Sequence, residues 1–355
     1  MHKISHFKDN WLTSSYNLHI DEQAPNENVY GWVVNLNAEK IYQVELIDEQ
    51  GISVDAINFG KARPKLAEMY NNIASAGNSG FEINLTKLLS CNRYYLVVKG
   101  PEGYRSKVAS IILNAPLLYV HIAKTAGSTV NKVVSNWFSP ENSLVHAESC
   151  ADWSERINDE NLKYLSGHIP YVKFIQSDIV KSFFNKAITF REPHAHVISH
   201  LAWIRALALD ENKAKYNAHP DYIQKLSDKL AEYDLSNPAE ITNVIESLNG
   251  SEFQLLDNTQ TRYIRSDINK VSVEESDLAS AVANLNHFDF IGTDNDISEF
   301  LAHIANSYGF EHQAEDRREN VLTNKFGLDI NNPDTKDALL PLIKYDLELY
   351  KLIKS

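Results

Sequence analysis

Residues 117–130, LLYVHIAKTAGSTV, constrain this chain more than any other stretch. Leu117, Leu118, Val120 and Ile122 form a β-rich run of the kind buried on both faces of a sheet, and Val130, Val133, Val134, Trp137 and Phe138 then recur at helical spacing. The hydrophobic period changes inside the turn at 124–129, so the segment predicts strand, tight turn and helix in that order. A turn of small residues that opens a helix leaves main-chain N–H groups unpaired and converging, with the positive end of the helix dipole behind them. Its natural occupant is an anion. Gly127 lets the backbone approach closely, Ser128 and Thr129 add hydroxyl donors, and Lys124 adds a mobile positive charge, which together suit a phosphate. The Walker spacing G-x-x-x-x-G-K-[ST] is absent, and an ordinary strand-turn-helix connection with a surface lysine is the plain alternative.

A second segment repeats the logic. In AITFREPHAHVISHLAWIRALALD, residues 187–190 read as a buried strand, Pro193 suits a first helical turn, and Val197, Ile198, Leu201, Ile204 and Ala208 mark a buried helix face. Arg191 then stands at the carboxyl end of a strand, the edge at which open α/β sheets bind ligands. Ser199 lies eight residues on, two turns along the helix. An arginine at a strand end is also a common partner for a neighbouring carboxylate. Between the two segments lies LSGHIPY, residues 165–171, whose His168 titrates near neutrality when unperturbed and is therefore a candidate general base. His146 and Glu148 form the second candidate for that role.

These segments resemble the sulfotransferases that use 3′-phosphoadenosine 5′-phosphosulfate (PAPS), in the branch of heparan-sulfate 2-O-sulfotransferases and other carbohydrate O-sulfotransferases. HIAKTAGSTV is similar to their 5′-phosphosulfate loop, H-x-P-K-[TS]-[AG]-[GS]-[TS], with Ala123 in place of the proline. The resemblance implies that Lys124, Thr125, Ala126, Gly127, Ser128 and Thr129 hold the 5′ end of PAPS, with Lys124 also stabilising the leaving phosphate. R-E-P followed by Ser199 resembles the 3′-phosphate motif and implies Arg191 and Ser199 as its ligands, with Glu192 for the commoner Asp and His196 where many members carry Arg. G-H-I-P-Y resembles the catalytic-histidine segment and implies His168 as base. Residues 151–153, Ala-Asp-Trp, faintly resemble a 6-O-sulfotransferase active segment, which keeps His146 and Glu148 in view. DRRENVLTNK, residues 316–325, occupies the place of a basic segment that closes over PAPS, implying Arg318 and Lys325. QLLDNTQTRYI, residues 254–264, resembles the segment after the 3′-phosphate helix; Arg262 and Arg265 are either basic contacts or part of a solvated helix face.

The first 115 residues read differently. GWVVNLN, IYQVELIDEQG, ISVDAINFG, SGFEINLT, RYYLVVKG and VASIILN alternate with turn residues, and Gly51, Gly60, Gly80 and Gly103 punctuate them. A small antiparallel β-sandwich is expected, interrupted at 63–72 and ending at Asn114-Ala115-Pro116. It weakly resembles a β-domain joined to bacterial enzymes that modify glycans. Trp11, Tyr30, Trp32 and Tyr42 have the rings to stack on sugars, although aromatics in a small sandwich are usually core.

The remaining segments read as helices at 171–184, 220–233, 238–248, 297–308 and 339–352, with a short buried strand at 288–292. The fold class expected is therefore α/β: a parallel-sheet, nucleotide-kinase-like and P-loop-like sulfotransferase domain over 116–355, preceded by a β-sandwich accessory domain over 1–115. At 43% hydrophobic and 23% charged, the 355 residues have a globular composition that excludes disorder. The formal net charge of −13 falls almost wholly on residues 116–355, which argues against a nucleic-acid partner. No run of eighteen apolar residues exists, and MHKISHFKDNW lacks the apolar centre of a signal peptide, so no membrane partner and a cytoplasmic location are expected. Cys91 and Cys150 are expected as free thiols. No H-E-x-x-H, C-x-x-C or clustered acidic set calls for a metal. The expected partners are PAPS as co-substrate and a carbohydrate acceptor; the acceptor's identity and the oligomeric state are not written in the sequence.

Overall fold

Short apolar runs set both halves of the fold. The computed structural model describes residues 2–6, 16–21, 28–36, 43–48, 50–88, 93–99, 105–159, 161–311 and 324–355. The chain divides into two units, one comprising Met1–Ala115 with Ser182–Phe184 and Asn306–Phe310, the other the remainder.

In the first unit the described strands are β1 (His2–His6), β2 (Tyr16–Ile20), β3 (Val29–Asn35), β4 (Gln43–Asp48), β5 (Ser53–Val54), β6 (Ile57–Lys61), β7 (Gly80–Ile83), β8 (Arg93–Lys99) and β9 (Arg105–Leu113). They form two antiparallel sheets, ordered β1-β9-β8-β4-β5 and β2-β3-β7-β6. Val29, Val33, Phe81 and Ile83 from one sheet and Val44, Leu46, Tyr94, Leu96, Val98 and Ile111 from the other join in one buried cluster. Each such side chain contributes about 1.5–3 kcal/mol of burial, so these clustered residues rather than the turns hold the unit. The polar lead at the N-terminus supplies β1 and β2, which the hydrophobic pattern did not announce. Trp32 lies between His19 and Tyr70, with ring centroids 5.7 and 6.3 Å away, and Tyr30 is exposed. Trp11, Tyr42 and Cys91 lie outside the described residues; Cys150 is a free thiol.

The second unit is built on a parallel sheet of β10 (Leu117–Val120), β11 (Ser143–Leu144), β12 (Tyr164–Gly167), β13 (Asn185–Phe190) and β14 (Phe290–Thr293), ordered β11-β12-β10-β13-β14. Every residue of β10, β12 and β13 is buried, the signature of a sheet covered on both faces. The register aligns Val120 with Gly167 on one side and with Ile188 on the other. The carboxyl ends of three neighbouring strands therefore open at one level. The strand order reverses between β10 and β13, the switch point at which α/β sheets form their binding crevice.

Helix α1 (Gly127–Phe138) follows β10, and α2 (Pro193–Leu207) follows β13 with Pro193 in its first turn. The expected 171–184 helix is two short helices, Tyr171–Phe174 and Asp178–Phe183, and the helices expected at 220–233 and 238–248 run from Asp221–Ala231 and Pro238–Glu246. Helices α3 (Thr259–Ile264) and α4 (Pro333–Lys354) complete what the site requires. Pro341 interrupts the hydrogen-bond ladder of α4. Asn258 bonds the turn that follows: its N–H donates to Leu342 O at 2.6 Å, and its Oδ1 accepts from Tyr345 N at 2.7 Å. No described helix is long and apolar enough to cross a membrane.

Candidate active site

The turn after β10 adopts an alternating backbone. Lys124 has φ +71 and Ala126 φ +69, so left-handed residues sit on either side of Thr125. Such alternation turns successive N–H groups toward one point. Among the described residues no partner stands opposite the N–H groups of Lys124, Thr125, Ala126, Gly127 and Ser128. The turn is fixed from below. Thr125 is fully buried, its hydroxyl donating to Ile122 O at 2.9 Å, while Thr189 Oγ1 donates to Thr125 O at 2.9 Å. Tyr119 OH lies 2.5 Å from the same Thr189 oxygen. The Thr125 hydroxyl is thus engaged inside the fold, and what remains for a ligand is its main-chain N–H.

Gly127 also has a reason other than the one its position in the turn suggests. A Cβ there would fall 2.0 Å from Cδ2 and Nε2 of His121. The glycine makes room for an imidazole. His121 is buried beneath α1; Asn131 accepts from Tyr164 OH at 2.7 Å and presents its amide to His121 Nδ1 at 3.3 Å. Burial keeps this ring neutral, its pKa held well below the usual histidine value.

Arg191 comes to the same place from β13. Its Nη1 donates to Lys124 O at 3.2 Å, and its Nε lies 3.2 Å from Asp294 Oδ2. Its backbone is clamped by one side chain: Arg191 N donates to Gln260 Oε1 at 2.8 Å and Gln260 Nε2 donates to Arg191 O at 2.9 Å. Gln260 is held in turn by Asp346 of α4, which accepts from the N–H of Gln260 at 3.1 Å and of Thr261 at 2.8 Å. The segment 254–264 therefore does serve the site, but through Gln260. Arg262 pairs with Asp257, and the wholly buried Arg265 pairs with Asp277 at 3.2 Å; both are structural.

Lys124 is held beside Trp203, its Nζ 5.9 Å from the ring centroid, and among the described residues it has no ion pair. Burial first, then the positive charges of Lys325 and Arg191, push its pKa down to about 8. Lys325 is lowered for the same two kinds of reason, burial and Arg191. Three cations thus share a site in which Asp294 is the carboxylate paired with Arg191. His196 is buried on α2 and donates from Nε2 to Ala123 O at 2.8 Å; burial pushes it to about 4, so it braces the turn as a neutral ring. Ser128 and Thr129 lie in the first turn of α1. Ser199 is buried one turn beyond His196, and no hydrogen bond among the described residues links it to the cations. Arg318 lies outside the described residues.

His168 follows β12, directly beside the strand that precedes His121. Its Nδ1 lies 2.8 Å from His121 O, and a carbonyl can only accept, so Nδ1 carries the proton and Nε2 keeps its lone pair. Its N–H donates to Glu148 Oε2 at 2.8 Å, and its ring packs 4.0 Å from that of His121. Burial lowers its pKa, with Glu148 opposing. His146 lies near Glu148, and the structure brings both candidate bases together around one spot.

Fold and site together define an α/β protein whose cationic turn and neutral histidine share the carboxyl edge of a parallel sheet. A scan against protein-family models and a search of curated proteins find no match to this chain.

Proposed function

We propose that the chain is a sulfotransferase of the nucleotide-kinase-like fold, moving the sulfuryl group of PAPS to a carbohydrate hydroxyl. The observation that carries the reading is the bond from Arg191 Nη1 to Lys124 O, 3.2 Å long, which ties two phosphate-type motifs separated by 67 residues into one site. In the reaction, His168 Nε2 takes the acceptor proton as the hydroxyl oxygen attacks sulfur. The bond from sulfur to the 5′-phosphate oxygen breaks in line, and the electron pair leaves on adenosine 3′,5′-bisphosphate. Lys124 and the turn N–H groups meet the charge that develops there, while Arg191 and Lys325 hold the 3′-phosphate end. The parallel sheet with its reversed strand order and the three cations Lys124, Arg191 and Lys325 at its carboxyl edge favour a bisphosphorylated nucleotide. Carbohydrate as acceptor rests on the resemblance of the motifs.

Isothermal calorimetry with adenosine 3′,5′-bisphosphate tests the cofactor half: saturable binding that weakens in Lys124→Ala and Arg191→Ala is expected. Mass spectrometry of a glycan library incubated with PAPS tests the acceptor half. Absence of any bisphosphate binding would refute the reading outright.

A further inference from the structure

A second cluster of chemistry-bearing groups adjoins the site without using its cations. His146, Glu148 and His168 each bring one ligand-type atom to within 4.8 Å of the others. We propose that these three side chains bind a divalent transition-metal ion of the zinc type. Two imidazoles and one carboxylate form a donor set that Zn²⁺ accepts, with a fourth position left for water.

The arrangement has the spacing and the outer contacts that such an ion needs. His146 Nδ1 and Glu148 Oε1 lie 3.3 Å apart. Two donors on one tetrahedral ion, with bonds of about 2.0–2.1 Å, stand about 3.4 Å from each other. Without metal, Nδ1–H donates to that carboxylate; on coordination the ring proton moves to Nε2 and the ion takes its place. His168 already has the outer partner typical of a ligand imidazole, since Nδ1–H is held by the His121 carbonyl at 2.8 Å and Nε2 is the free donor. Glu148 is oriented too, its Oε2 accepting from His168 N at 2.8 Å.

The backbone is adapted to this convergence. His146 sits in the left-handed region, φ 55 and ψ 46, a conformation that non-glycine residues adopt at a cost. Gly167 lies so close to the turn that a Cβ would come 2.9 Å from Glu148 Oε2. Closing the remaining distance falls to His146, whose side chain is 55% exposed. The metal proposal does not depend on sulfuryl transfer. It does bear on it, because the nitrogen offered to the ion is the one assigned as base, so an ion bound there silences that base.

The test is titration of the whole chain with Zn²⁺ alone against a chromophoric chelator, with visible absorption of the Co²⁺-substituted protein as a second readout. Wild type is expected to take up one ion at this site with a Co²⁺ ligand-field spectrum, and His146→Ala and Glu148→Gln to lose at least tenfold in affinity. Circular dichroism melting of both variants establishes that they fold. Uptake by folded variants as tight as by wild type, or no uptake by wild type, overturns the proposal. Bisphosphate calorimetry on the same proteins is a separate measurement, so failure of either reading is seen apart from the other.

Discussion

Lys124 makes the most quantitative prediction. Among the described residues its ammonium has no ion pair, and its pKa lies near 8 rather than at the ordinary 10.5. A phosphate seated in the turn would return it toward the ordinary value. The complex then holds its proton more tightly than the free protein does, so binding takes up a proton and weakens as pH rises through 8. With free and bound values of about 8 and 10.5, linkage gives a loss of about tenfold in affinity for adenosine 3′,5′-bisphosphate between pH 7 and 9. The ligand's phosphates do not confuse the result, because their second ionisation lies near pH 6. Lys325, lowered for similar reasons, adds to the fall. Calorimetry at half-unit pH steps measures the slope. Lys124→Met should bind weakly and lose most of the pH dependence. A wild-type affinity that stays flat from pH 7 to 9, or a slope that survives in Lys124→Met, refutes the reasoning.

Other perturbations separate the site's parts. His168→Ala should lower kcat by about 10²–10⁴-fold with bisphosphate affinity unchanged; steady-state kinetics with PAPS check it, and a wild-type rate removes His168 as base. Gly127→Ala forces a Cβ onto the His121 ring, and overpacking of this kind costs about 1–3 kcal/mol; urea unfolding reads the loss. If Gly127→Ala were as stable as wild type, the packing role assigned to that glycine would be wrong. Gln260→Ala orphans the N–H and C=O of Arg191, a desolvation cost of about 1–3 kcal/mol. It should weaken bisphosphate binding through the position of Arg191, and an unchanged affinity would show that the amide clamp does not set the arginine's position.

Local patterns carried much of this architecture. The switch of period at 117–138 and the buried run at 187–190 followed by Pro193 announced two strand-turn-helix units, and the structure has both as β10–α1 and β13–α2. That Lys124 and Arg191 meet was also legible, because parallel strands put their carboxyl ends on one edge. What escaped depends on contacts between distant residues. The packing of Gly127 against His121 was not legible, because the two meet in space across a turn that sequence periodicity does not fold. That the Thr125 hydroxyl is engaged inside the fold was not legible either, because Thr189, which it meets, is 64 positions away. Arg262 and Arg265 are the visible charges of their segment, whereas the amide of Gln260, which does touch the site, carries no charge to draw notice. His146, Glu148 and His168 match no metal pattern, since 20 residues and a strand separate the third donor from the second.

The oxygen chain running from Tyr119 through Thr189 to Thr125 has a consequence for how any ligand is received. It moors the turn to the floor of two adjacent strands, so the turn can soften only when those strands part. The ordering cost is met when the chain folds rather than when the ligand arrives. The receptor is accordingly a stiff socket, and backbone order parameters at Thr125 as high as those of the strands would be its signature.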